Sequence, residues 1–151
     1  MTKKSDKIVR LIYASRLAKG CGPKELEAIL NVSRENNRDI GVTGALCYSA
    51  RGFLQCIEGP RESVNMLYRR IVQDERNEDV TLIAYTQNED ERAFGQWSMA
   101  YVRADAVDQM ILTKHRIKEP FDPYTLQAEQ AHNFLCDMAR ERAAFLSRQQ
   151  Q

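Results

Sequence analysis

Six side chains that can donate or accept hydrogen bonds occupy places where the surrounding pattern calls for apolar residues. Tyr13 lies in KIVRLIYAS and Gln55 in GFLQCIEGP. Asn36 and Asn37 extend one helical stripe, while Arg70 borders a second stripe and Asp74 continues it. A buried, unpaired group of this kind costs about 1–3 kcal/mol, so a cluster of them needs either internal partners or a ligand rich in donors and acceptors. A planar heterocycle with carbonyl and ring-nitrogen edges would satisfy such a set. Gln55 is the most telling member, because an amide offers an acceptor on one side and donors on the other. Its rotation or tautomerisation exchanges what it presents to its neighbours. Each residue also has a plainer reading. Tyr13 alone reads as a core tyrosine with its hydroxyl near the surface, and Gln55 alone as a partner for adjacent backbone. The two asparagines read as a helix C-cap, and Arg70 with Asp74 as an i, i+4 ion pair. These readings leave the convergence of all six unexplained.

The elements that would bring them together follow from periodicity. KIVRLIYAS alternates Val9, Leu11 and Tyr13 against Ile8, Ile12 and Ala14, which predicts an inner strand covered on both sides. Pro23 opens a helix carrying Leu26, Ile29, Leu30 and Ser33 on one face. Val42 to Tyr48 and Phe53 to Glu58 read as a hairpin turning at Ser49 to Gly52, and Val64, Leu67, Tyr68 and Ile71 mark a second helix. DVTLIAYTQ and WSMAYV supply two more strands. The order β-α-β-β-α-β-β predicts an α+β, ferredoxin-like sheet with two helices on one face and one extra strand. Its first and third strands are then neighbours, which sets Tyr13 beside Gln55. The opposite face needs a cover. Val107, Met110 and Ile111 mark a short helix, and Ala131, Phe134, Leu135, Met138, Ala139, Phe145 and Leu146 a long apolar stripe. That stripe fits either the open sheet face or a second subunit. The expected organisation is a core over residues 1–103 and a helical extension over 104–151 within the same compact unit.

Composition narrows the function classes. The 151 residues carry 28% charged side chains that cancel to a formal net charge of +1, so no broad field draws nucleic acid or anionic lipid and any ligand must be held locally. No apolar run approaches the ~20 residues that span a bilayer, and the start lacks a signal-peptide core, which predicts a cytoplasmic protein. Cys21, Cys47, Cys56 and Cys136 form no CxxC pair, and His115 and His132 lie far from all but one of them, so reduced, packed cysteines are expected and no metal.

The chain resembles the BLUF family, blue-light sensors using flavin, through RLIYAS, ENNRDIGVTGALCYS, GFLQCIEGP, LYRRIVQDERN and FGQWSMAYV, in family order across about residues 8 to 103. NFLCDMA is similar to the last helix of the short, stand-alone PixD type. This resemblance implies FAD as cofactor, with FMN or riboflavin also accommodated. It implies that Tyr13 is the photochemical electron and proton donor and that Gln55 is the amide between that phenol and the ring. Asn37, with Asn36 beside it, would meet the C4 carbonyl side, Arg70 and Asp74 would add polar contacts, and Ser33 would stand close to the glutamine. Ile29 and Phe53 would wall the ring, and Trp97 and Met99 would be the last-strand pair that trade buried and exposed positions. DERN departs from the many members that carry histidine at Asn77, a change expected to touch no flavin contact. The apolar stripe from Ala131 to Leu146 and the exposed sheet face imply a homo-oligomer, dimer or larger ring, with packing onto the sheet as the alternative, and the resemblance implies a response-regulator-like partner.

Two other classes make different expectations. An acylphosphatase-like enzyme would use Arg16 or Arg51 with Asn36, but the phosphate-cradling loop after the first strand is not evident. A flavin reductase would need a nicotinamide-binding glycine motif, and none follows a strand. A light-insensitive flavin-binding or interaction module would have no use for both Tyr13 and Gln55.

Overall fold

Residues 7–95 and 97–149 are described by a computed structural model. The alternation of KIVRLIYAS forms β1 (Ile8–Leu17), and the hairpin forms β2 (Thr43–Ser49) and β3 (Gly52–Gly59). β4 spans Asn77–Glu89 and β5 Ala100–Arg103. The strands form one mixed sheet in the order β4-β1-β3-β2-β5, with β2 and β5 parallel and the other neighbours antiparallel. β3 is therefore central, and each of its residues is buried. This is the predicted α+β, ferredoxin-like architecture.

The last strand is shorter than expected. It starts at Ala100, so Trp97 and Met99 lie on the irregular approach to it, where the Gly44 amide donates to the Trp97 carbonyl at 3.1 Å. Gly44 is required there, because a Cβ would stand 2.1 Å from the Cys56 carbonyl oxygen. The pairing of β1 with β4 breaks register at three places, between Ile8 and Arg10, Ile12 and Tyr13, and Ala14 and Arg16. Such irregularities bend and twist a strand locally.

The helices α1 (Pro23–Ile40) and α2 (Arg61–Gln73) cover one face. α1 ends at Gly41, whose φ of 75° is the left-handed conformation glycine adopts without Cβ strain. Leu26 and Leu30 of α1 and Val64 of α2 pack on Leu11, Tyr13, Leu46, Phe53 and Ile57. The period of two along β3 sends Leu54 and Cys56 to the opposite face. There α3 (Gln109–Lys114) and α4 (Ala128–Gln149) close the second core, with Phe134, Leu135 and Met138 lying over Ile12, Ala45, Cys47 and Leu54. Of the two covers open to the stripe, Ala131 to Ala139 use the sheet, and the side chains of Phe145 and Leu146 fall outside those described. Cys47 and Cys56 are buried and Cys21 and Cys136 partly so, all as free thiols. Among the described residues no helix is long and apolar enough to cross a membrane.

One buried carboxylate ties this frame together. Glu58 takes Arg10 Nε at 3.1 Å and Thr43 Oγ1 at 3.1 Å, and the amides of Ala93 and Phe94 at 3.0 and 2.6 Å. It thus joins β1, β2 and the connection between β4 and β5. Replacing Phe134 by alanine is expected to destabilise the fold by about 3–5 kcal/mol in urea unfolding, whereas Met110→Ala at an exposed position stays within about 0.5 kcal/mol.

Candidate functional site

Tyr13 and Gln55 are direct partners across the β1–β3 ladder, so their side chains share the face beneath α1 and α2. Between those helices and the sheet lies a cavity of about 430 Å³. Clefts of about 300–1000 Å³ hold small molecules and cofactors. Its lining includes every residue singled out as a flavin contact: Ile29, Ser33, Asn36, Asn37, Phe53, Gln55, Arg70 and Asp74, together with Tyr13.

Inside, the polar atoms are ordered. The Tyr13 hydroxyl donates a hydrogen bond to Gln55 Oε1. On the far side of the amide, Gln55 Nε2 donates to Met99 Sδ at 3.3 Å. Asn37 Nδ2 donates to the Ser98 carbonyl at 2.9 Å, and Arg34 Nε to the Met99 carbonyl at 2.9 Å. The segment 98–99 is thereby held from Gln55 and from α1 together. Asn37 is 1% exposed, yet its Oδ1 has no hydrogen-bond partner among the described residues. An orphaned acceptor in such a place calls for a donor from a bound molecule. Burial first, and the neighbouring Tyr68 second, push the Tyr13 hydroxyl far above its ordinary pKa, so it stands as a neutral phenol. Phe53 and Tyr68 pack around its ring at centroid distances of 6.0 and 5.7 Å.

The six residues divide into two groups. Tyr13, Gln55 and Asn37 are buried, whereas Asn36 and Arg70 are exposed and Asp74 is partly exposed at the cavity's edge. α2 ends at Gln73, so Asp74 caps it in an extended conformation instead of continuing the stripe. Its partner is Arg76, at 2.6 Å between Nη2 and Oδ2, and not Arg70. The Arg76 guanidinium holds the Asp74 carboxyl below the usual carboxylate range. Asn77 lines the same cavity while donating Nδ2 to the Ile71 carbonyl at 3.1 Å. Trp97 and Met99 separate: Met99 is buried against Gln55 and Trp97 is partly exposed, packing toward the core beneath α4. Sequence reasoning missed Arg34. Its position one helical turn before Asn37 and Arg38 was the available signal.

An unpaired acceptor, a phenol–amide pair and apolar walls from Ile29 and Phe53 suit a planar ring with an N–H edge. Residues 8–100 match the family described as BLUF, sensors of blue-light using FAD. The chain belongs to the BLUF family. It is similar to BlsA in its photo-activated state, with a TM-score of 0.76 and 30% identity, covering 87% of this chain and 94% of that one. BlrB, a BLUF protein in its dark state, matches with a TM-score of 0.68 and 27% identity over 88% of this chain and 98% of that one. The photoactivated adenylate cyclase subunit beta of Euglena gracilis is 34% identical over 100 residues, 65% of this chain but 12% of that protein. The chain thus spans about an eighth of the length of that curated relative.

The BLUF cavity carries a pH signature. An unfolded chain releases the Tyr13 proton near the ordinary value of 10.0, whereas the native chain keeps it. The native state then binds more protons above pH 10, so this contribution to stability is undiminished below that pH and falls as pH rises beyond it. Urea unfolding from pH 8 to 11 is expected to show the wild type losing stability relative to Tyr13→Phe only above about pH 10.

Proposed function

We propose that this BLUF chain is a blue-light photoreceptor whose signal is a rearranged hydrogen-bond network around Gln55. The observation that carries the reading is the Tyr13–Gln55–Met99 relay beside an unpaired Asn37 oxygen in one cavity. A bound flavin, FAD by the family description and FMN or riboflavin by the same ring chemistry, supplies a chromophore that absorbs blue light and accepts an electron when excited.

The protein's share follows from its own atoms. Ile29 and Phe53 wall the ring, Asn37 Oδ1 accepts from its N–H edge, and Ser33, Asn36, Arg70 and Asp74 line its surroundings. Tyr13 is held as a neutral phenol, so loss of an electron from its ring makes its hydroxyl proton mobile, and Gln55 Oε1 is the atom positioned to receive it. The amide has unequal partners: a hydroxyl donor on the oxygen side and a thioether, a weak acceptor, on the nitrogen side. Turning it brings Nε2 to the phenol oxygen and Oε1 to the sulfur, which has no proton to give. Met99 must then shift. In a dry cavity such an exchange is felt strongly, because low dielectric makes both the bonds and their absence count. Signal output runs through 97–99 to self-association or to a response-regulator-like protein partner, and Trp97, partly exposed beside Met99, supports that exit.

Tyr13→Phe is expected to bind flavin yet lose the small red shift that blue light produces in the wild type; a normal photocycle in this variant would remove Tyr13 from the mechanism. Asn37→Ala is expected to weaken flavin binding by roughly tenfold, from about 1–2 kcal/mol of lost pairing, measured by fluorescence titration. Gln55→Leu is expected to keep the yellow colour and abolish the shift.

A further inference from the structure

A second concavity of about 830 Å³ adjoins another face of α1, and no residue lines both it and the flavin cavity. Arg34, Arg38 and Arg92 line it beside Trp97 and Tyr101, with Arg142 at its margin, and among the described residues that line it there is no carboxylate. The chain as a whole carries a net charge of only +1, so this concentration of positive charge is local. Like charges gathered on one concave wall raise the concentration of an anion there.

The chemistry of the wall is specific. Arg34 is anchored through Nε to the Met99 carbonyl at 2.9 Å and lies 4.4 Å over the Tyr101 ring, and Arg92 is anchored through Nη1 to Thr43 Oγ1 at 3.0 Å. Each guanidinium has five N–H donors, so an anchor through one leaves others for a ligand. Planar forks match phosphate oxygens in pairs, and anchoring lowers the entropy lost when they bind. The volume falls within the range of about 300–1000 Å³ of small-ligand clefts. The floor of the cleft is the segment Trp97 to Met99, whose sulfur accepts from Gln55 and whose carbonyl accepts from Arg34.

We propose that this cleft binds a small ligand carrying two or more phosphate groups, and that Met99 couples its occupancy to the state of Gln55. The light-dependent half rests on the photoreceptor reading; the site itself does not. Coupling through a shared element changes affinity typically by about 5–150-fold.

The test titrates flavin-loaded protein with sodium pyrophosphate by calorimetry, first in darkness and then under continuous blue light. Saturable binding at one site per chain is expected in darkness, weakened at least tenfold in Arg38→Glu and in Arg92→Gln. Arg38 is exposed on α1, and circular dichroism checks that both variants keep the fold. Absence of pyrophosphate binding by the wild type, or undiminished binding by both variants, overturns the site. So does tighter binding of a polyglutamate peptide than of pyrophosphate, which would make the cleft a docking face for an acidic chain. Under light the pyrophosphate affinity is expected to change at least fivefold. An unchanged affinity alongside a normal red shift overturns the coupling. If the red shift itself is missing, the photoreceptor reading falls and takes the coupling with it, while the dark titration still decides the site.

Discussion

The placement of Gln55 opposite Tyr13 is the constraint on which the site depends, and it is a matter of register. A side-chain period of two means that a slip of one residue would send Gln55 to the face beneath α4 and bring Leu54 or Cys56 to the phenol. Apolar demand on both faces prevents the slip. Phe53 and Ile57 are held by the core under α1 and α2, and Leu54 and Cys56 by the core under α4. The amide is thus aligned by its apolar neighbours, and its own hydrogen bonds need only choose an orientation.

Much of this was legible in the sequence because it rests on period and order. The alternation in KIVRLIYAS and GFLQCIEGP gave the two central strands, and the ferredoxin-like order made them neighbours. That order directed six polar residues toward one cleft, and Tyr13, Asn36, Asn37, Gln55, Arg70 and Asp74 all line one cavity. What stayed hidden depends on geometry that no local pattern encodes. The helical stripe ran on past Gln73, so Asp74 read as part of it, whereas the chain turns there and Asp74 meets Arg76. WSMAYV read as one strand, yet Trp97 to Met99 are held by α1, Gln55 and Gly44 before β5 begins. Arg34 was not singled out by any stripe, yet it holds the Met99 carbonyl.

The two faces of the sheet divide the labour. The face under α1 and α2 leaves a cavity and tolerates polar groups, while the face under α4 is filled by Phe134, Leu135 and Met138 and leaves little freedom. Glu58 keeps the irregular connection after β4 in place by fixing the Ala93 and Phe94 amides. The approach to β5 therefore starts from a fixed point.

The broken register between β1 and β4 has a consequence for coexistence at high concentration. β4 is a 13-residue edge strand, long enough to template a foreign strand. Three interruptions keep its outer rim from lying flat, and the rim bears Glu78, Asp79 and Glu89 near its two ends. Irregularity and charge along such a rim are both features that disfavour edge-to-edge pairing with another chain.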